Sequence, residues 1–287
     1  MSIDIPVAFV TQFSANVHML AEQRMSRLRS TVMVESITGE SFTKERIGGV
    51  TAQEVTTRHG DTPLNSTPHT RRWGFVKDYD VADLIDKADR VKLLINPDSA
   101  YTMRHAGTMG RSIDDEIIRA LGASAIEGHS GGTTTAYDTT NQQITSGSTG
   151  LTIDKLLRVK EKLDASEVDE FYPRYFACAA RQLRELLEDD KVTSSEYNSI
   201  KALVKGDVDE YLGFKFIRTE RLQKVSNDRY CYAWAQPAIT LGMYQEPTSV
   251  ASVRPDKRMA SQIYTYGSWG AMRSEDAMVV QVLCDES

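Results

Sequence analysis

The chain has 287 residues, 40% hydrophobic and 26% charged, enough for a sizeable core in one domain or two, and this balance excludes wholesale disorder and fibrous repeats. A formal net charge of −6 disfavours a dedicated nucleic-acid binder, because such binding rests largely on neutralised phosphates. No run reaches the roughly eighteen apolar residues of a membrane span and the opening stretch lacks the basic region of a secretory signal, so a cytosolic product without a membrane partner is expected.

In chain order, Val7, Val10, Phe13, Val17, Leu20, Ala21 and Leu28 recur at helical steps and predict an amphipathic helix with Arg24, Arg27 and Arg29 clustered at its end. The segment from Thr31 to Val76 reads as extended strands and turns, β-branched and polar, with Gly39, Gly48, Gly49 and Gly60. Its apolar side chains are too sparse to close a core of its own, and an isolated two-stranded ribbon is marginal in water. Its cations Lys44, Arg46, Arg58, Arg71, Arg72 and Lys77 interleave with Glu40, Glu45, Glu54 and Asp61. Mixed signs of this kind suit either contact between copies or an ordinary solvated hairpin.

From Asp78 the spacing of Val81, Leu84, Ile85, Ala88, Val91, Leu94 and Ile95 predicts a helix. Asn96 and Pro97 then predict the opening of a long helix with Tyr101, Met109, Ile113, Ile117 and Leu121 on one side. Gly107 and Gly110 interrupt it, each costing about 1 kcal/mol against alanine, and are expected where another backbone approaches closely. Beyond Gly122 a Ser/Thr/Gly-rich loop is predicted, followed by a helix over Thr152–Leu163, a strand RYFACAA, a short helix around Leu183–Leu187, and a helix from the capping box Thr193–Glu196 to a stop at Gly206. Strand-like runs GFKFIRTERL, YCYAWAQPAITLGMY, RMASQIYTYG and AMVVQVLC finish the chain, and there is no internal repeat.

The candidates for chemistry are weak. GHSGG, Gly128 to Gly132, matches the Gly-x-Ser-x-Gly nucleophile elbow with Ser130 as nucleophile, but an elbow needs a strand before it and a helix after it. Here a predicted helix precedes and a threonine-rich run follows. His18, His59, His69, His105 and His129 never form a close pair, and Cys178, Cys231 and Cys284 are too dispersed for a metal knuckle or a disulfide framework. Buried free thiols are expected. The adjacent carboxylates of DDEII, beginning at Asp114, read as a solvated ion-pair face with Arg111 and Arg119.

The stretch DTPLNSTPHTRRWGFVKDYDVADLIDKADRVKLLINPDSAYTMRHAGTMGRSIDDEIIRAL, Asp61 to Leu121, is similar to one family of tailed-bacteriophage coat proteins. The ending WGAMRSEDAMVVQVLCDES resembles that family's terminal peripheral-domain strands. Across nearly the whole chain the order of elements resembles the tailed-phage major capsid protein of the Hong Kong 97-type fold, an α+β class. The resemblance implies an N-terminal arm (1–30), an extended β-hairpin loop (31–77), a peripheral domain with a long spine helix (78–123), an axial α/β domain (124–240) and closing peripheral strands (241–287). It implies an icosahedral virion shell of hexamers and pentamers, assembled in the bacterial cytoplasm, that encloses double-stranded DNA without sequence-specific binding, with no catalytic residue, cofactor or metal.

On this reading Arg71, Arg72 and Trp73 lie at the loop base, and the aspartates of DYDVADLID, Asp78 and Asp80 among them, cap helices or pair with arginines of neighbouring copies. Further contacts between copies are expected from Val10, Phe13, Val17, Leu20, Arg24 and Arg27 on the arm. Others are expected from Lys44, Glu45, Arg46 and Arg58 on the loop and from Arg104, Arg111 and Arg119 on the spine helix. Some shells of this type are crosslinked between a loop lysine and a late asparagine. Here Lys44 is the only lysine before Lys77 and no asparagine follows Asn227, so no crosslink is expected. No long charged segment precedes the arm, which implies a separate scaffolding protein; portal and possible decoration proteins are further implied partners. An encapsulin-like compartment shares the implied fold, and a hydrolase using Ser130 is the reading from a different class.

Overall fold

The computed structural model describes residues 23–54, 56, 58, 60, 64–86, 98–188 and 210–287. Its first half runs through β1 (Met33–Ser36), the hairpin strands β2 (Ser41–Ile47) and β3 (His69–Phe75), β4 (Lys77–Ile85), helix α1 (Asp98–Gly122), β5 (Ala125–Glu127), β6 (Thr133–Thr135) and β7 (Gln143–Ile144). The second half holds helix α2 (Ile153–Ala165), β8 (Arg174–Cys178), helix α3 (Ala180–Glu188), β9 (Glu210–Tyr211), β10 (Phe214–Arg218), β11 (Lys224–Val225), β12 (Asp228–Ala235), β13 (Ile239–Arg254), β14 (Ala260–Arg273) and β15 (Val279–Asp285).

Three sheets organise these strands. One has the order β1-β13-β14-β4, a second β7-β15-β12-β8-β10-β9 with β11 on β12, and a third β2-β3-β5-β6. The long strands β13 and β14 form the antiparallel spine of the first sheet, and α1 lies along them. Met109, Ile113, Ile117 and Leu121, four residues apart, are all buried on that face, as their spacing predicts. One continuous core joins this layer to the second sheet through Phe176, Trp234, Val280 and Val282. The three cysteines are buried and free.

Several expectations from spacing hold. Helix α2 starts behind Thr152, whose hydroxyl accepts from the Lys155 amide, and β8 and α3 follow in turn. The last four apolar runs are strands. Of the helix expected over the first thirty residues, the part before residue 23 lies outside the described residues, and its described end is a correction: residues 23–28 are irregular and only Arg29–Thr31 makes a 3-10 turn. The helix expected over Thr193–Gly206 lies outside the described residues, as do Val10, Phe13, Val17, Leu20, Asn96 and Pro97.

The stretch from Asp78 is a correction. It forms strand β4, paired antiparallel to β14 from Lys77↔Trp269 to Ile85↔Ser261. Val81 and Ile85 are four apart, a step that fits a period of two as well as a helical turn. Tyr79, Val81, Asp83 and Ile85 face the body, whereas Leu84, which a helix would have buried, is 51% exposed. The Ser/Thr/Gly-rich connection is also more ordered than predicted, since β5 and β6 form a hairpin that extends the β2–β3 ribbon into a four-stranded sheet. Finally, β15 pairs with β12 in the second sheet, apart from β13 and β14 with which the sequence grouped it.

Candidate functional site: the base of the extended hairpin

Strands β2 and β3 pair from Ser41↔Phe75 to Ile47↔His69, so the hairpin has a base near Phe75 and an outer end beyond Ile47. At the base Phe42 is buried against two glycines: a Cβ on Gly74 would fall 2.3 Å from its ring and one on Gly242 2.7 Å away. Those two positions need glycine because the ring occupies the side-chain space. Trp73 is held from the β5–β6 turn, where its indole Nε1 donates to the Gly128 carbonyl at 2.7 Å and its ring lies against Gly131. Gly128 and Gly131 both have left-handed backbones, with φ of 98° and 71°, which explains two of the three glycines of GHSGG as turn residues.

Arg72 points the other way from Trp73, inward, and is 1% exposed. Its guanidinium is ion-paired with Glu127, Nε to Oε1 at 2.9 Å, and donates to Asp276. Asp276 also accepts from Arg273, which is buried at the end of β14 and donates to the carbonyls of Leu121 and Ala123 at 3.1 and 2.6 Å. Those carbonyls belong to the C-terminal end of α1, where unpaired backbone oxygens and the helix dipole favour a cation. The Arg273 guanidinium also sits 5.0 Å from the Tyr137 ring centroid. Burial pulls the Arg72 pKa down from its ordinary value, Asp276 and Glu127 oppose that, and the neighbouring Arg46 and Arg273 reinforce it. Arg46 adds ion pairs to Glu127 and Glu275. The hairpin, the end of α1 and the end of β14 therefore meet in one charged knot in which Arg72 and Arg273 are buried and the carboxylates around them are partly exposed.

A second junction ties β4 to the helix. Glu116 of α1 is 5% exposed and accepts from Lys77 at 2.8 Å, from the Tyr79 hydroxyl at 2.6 Å and from Arg119. Burial works to raise its pKa, but those three donors prevail and lower it. Tyr79 is stacked on Trp269, and the buried His105 bridges Asp83 at 2.8 Å and Thr265 at 3.2 Å. The run of aspartates at residues 78–86 is thus no set of helix caps: Asp78 accepts from Ser268 on β14, Asp80 contacts Tyr264, and Asp83 meets His105.

The DDEII reading is likewise corrected. Asp114 and Glu116 are buried, and only Asp115 is exposed, where it pairs with Arg221. Arg111 donates to the Gln23 carbonyl and Arg119 to Glu116 and the Ala271 carbonyl, while Arg104 is exposed on α1. On the hairpin, Arg71 pairs with Glu45 across the strands, Lys44 pairs with Glu35 of β1, and Arg58 is exposed toward the outer end. Arg24 is exposed, and Arg27 donates to the Arg218 carbonyl. Most charges singled out as contacts between copies therefore have partners within their own chain, and Arg72, wholly inward, is the clearest correction.

Ser130 stands in the β5–β6 turn with a strand on each side and no helix behind it, which is not the elbow geometry. Its neighbour His129 is 3.4 Å away and exposed, as is His69. Among the described residues no group of three or more His, Cys, Asp or Glu is placed to hold a metal, and no helix is long and apolar enough to cross a membrane. Sequence reasoning placed Asp114 and Glu116 on a solvated face and missed Glu127, Arg273 and Asp276. A local signal existed for the last two, an arginine and an aspartate three residues apart immediately after an apolar strand.

The architecture, a β-hairpin keyed into a body of a long helix and two further sheets, is the α+β Hong Kong 97-type fold of phage shells. Solved structures that match it along nearly their full length include three phage capsids. They are the capsid of cyanophage P-SCSP1u (10% identity, TM-score 0.76, covering 98% of this chain and 94% of that one), the capsid of Ralstonia phage GP4 (9%, 0.75, 100% and 98%) and the cyanophage Pam1 capsid (14%, 0.73, 100% and 99%). No curated protein sequence matches the chain. The model of the phage capsid protein family matches residues 5–286, and the chain belongs to that family. It is a structural component of the virion, forming the head shell rather than catalysing a reaction; the encapsulin-like alternative is not favoured.

Proposed function

We propose that copies of this chain associate as hexamers and pentamers into a closed icosahedral shell around double-stranded DNA, fastened chiefly by the β2–β3 hairpin and the N-terminal arm. The observation that carries this reading is the contrast along the hairpin. Its base is locked into the body by Phe42, Arg72 and Trp73, while its outer end leaves Ile47, Val50 and Leu64 respectively 70%, 57% and 95% exposed. Apolar side chains held out on a ribbon this way are covered at low cost only by another molecule. The clamp fixes the direction of the hairpin before assembly, so a neighbouring copy meets a preorganised arm rather than a loose loop. Each contact is modest, and closure of the shell makes the contacts mutually reinforcing.

On this reading residues 1–30 are the arm, 31–77 the extended loop, and α1 with β4, β13 and β14 the peripheral domain; the second sheet, β15 included, is the axial domain. The net charge of −6 suits a wall that contains DNA without adhering to it throughout. A separate scaffolding protein, a portal and possible decoration proteins are the further partners. Expression with and without the candidate scaffolding protein, followed by sedimentation and electron microscopy, tests the reading. Uniform shells are expected with the scaffold and irregular products without it. Uniform shells from the chain alone would remove the scaffolding requirement, and failure to form particles in either case would count against the shell.

A further inference from the structure

Asp114 lies in the middle of α1, fully buried, and its carboxylate is satisfied by a different part of the chain. Ser26 Oγ donates at 2.6 Å, the amides of Arg27 and Leu28 each at 3.1 Å, and the Gln23 side-chain amide adds a further bond. The helix also provides a bed for that segment. A Cβ on Gly110 would sit 2.7 Å from Ser26 N and 3.0 Å from Met25 C, and one on Gly107 would sit 3.2 Å from Gln23 O. Arg111 donates to the Gln23 carbonyl at 2.8 Å from the same helix. The close backbone approach expected at these glycines is therefore made by residues 23–26. Past the clip the chain is pinned again by buried Leu28 and by Trp234, whose indole donates to the Thr31 carbonyl at 3.1 Å.

A buried carboxylate costs free energy unless its lone pairs are filled, and here they are filled by donors from one short segment in one register. An apolar contact of the same area would permit sliding; this one does not.

We infer that Asp114 is a positioning residue for the N-terminal arm, clipping residues 23–28 to the spine helix so that the chain at residue 23 is held in one place and direction, and that shell assembly depends on this. The assembly consequence rests on the proposed shell function; the clip itself does not.

The test uses full-length Asp114→Asn, Gly110→Ala and Ser26→Ala chains. The first presents an amide to donors where a carboxylate accepted, the second fills the space the arm backbone occupies, and the third removes one donor to Asp114 together with the hydroxyl that accepts from the Arg29 amide. Hydrogen exchange at the peptide holding Arg27 and Leu28 is expected to accelerate about tenfold in the first two variants and less in the third, with faster tryptic cleavage after Arg24 and Arg27 and unchanged exchange in β12 and β15. Particle yield is expected to fall in the same order. Unchanged exchange at that peptide, or acceleration spread equally over the core, overturns the clip. Local acceleration with normal particle yield overturns its role in assembly. Local acceleration with no particles even from the unmodified chain places the failure in the shell reading and leaves the clip standing.

Discussion

Arg72 and Arg273, one from the hairpin and one from the end of β14, share the carboxylate of Asp276. Both guanidiniums are almost wholly buried; Glu127 also faces Arg72 and the Leu121 and Ala123 carbonyls accept from Arg273, but Asp276 is the carboxylate common to both. Asp276→Ala is expected to destabilise the chain by about 3 kcal/mol, because two buried guanidiniums each lose a charge-assisted bond while Arg72 keeps Glu127 and Arg273 keeps the helix-end carbonyls. Arg72→Met should cost distinctly less, since it removes the buried charge itself, Asp276 keeps Arg273 and Glu127 keeps Arg46. Urea unfolding of the unassembled chain checks the ranking, and equal losses would show that Asp276 acts on one arginine only.

The second junction of the hairpin is a backbone contact. A Cβ on Gly270 would fall 2.0 Å from the Phe75 carbonyl oxygen and 2.8 Å from its carbon, so a methyl group there has to push two strands apart. Gly270→Ala is expected to cost more than about 2 kcal/mol. Gly132→Ala, which meets nothing within 4 Å, should stay within about 0.5 kcal/mol of the unmodified chain. Thermal unfolding of the two variants side by side measures the difference.

How much of this was legible in the sequence depended on whether the signal was local. The spine helix could be read because Met109, Ile113, Ile117 and Leu121 repeat over several turns, and Gly107 and Gly110 could be read because their cost in a helix demands a reason. Strand β4 was misread because Val81 and Ile85 satisfy two periods at once, and the choice was made by β14, far away in sequence. Asp114 and Glu116 looked like surface charges because their donors, Ser26 and Lys77, are not on the helix. The hairpin base was legible as a joint, but the partners of Arg72, Glu127 and Asp276, were not, since ion pairs between residues so distant in sequence leave no spacing pattern.

The C-terminal end carries a pH-dependent bond. Glu286 is 5% exposed on its side chain; burial works to raise its pKa, but hydrogen bonds from Arg229, Lys224 and Gln182 outweigh that and lower it from 4.5 to about 2. The folded value lies below the unfolded one, so this stabilisation is complete above about pH 4.5 and is lost as pH falls toward 2. Glu286→Gln is expected to remove about 2–3 kcal/mol at pH 7 and much less near pH 2.5, read as the separation of the two urea midpoints. A separation that does not narrow on acidification would contradict the assignment.

Two chemical possibilities are open to direct refutation. Ser130→Ala should leave both particle formation and any background ester hydrolysis unchanged, since its turn lacks the strand–helix elbow. Mature particles boiled in detergent should run as one band at 32.1 kDa, because no asparagine follows Asn227 to receive a loop lysine. A ladder of covalent multimers would show a crosslink of another kind.

The most direct test of the central claim is an electron cryomicroscopy map of assembled particles at side-chain resolution. The account predicts six- and five-fold capsomers in which the outer end of the hairpin, with Ile47, Val50 and Leu64, rests on an adjacent subunit while Phe42, Arg72 and Trp73 stay locked in their own. A map with that outer end folded back on its own body, or standing clear of every neighbour, would contradict it.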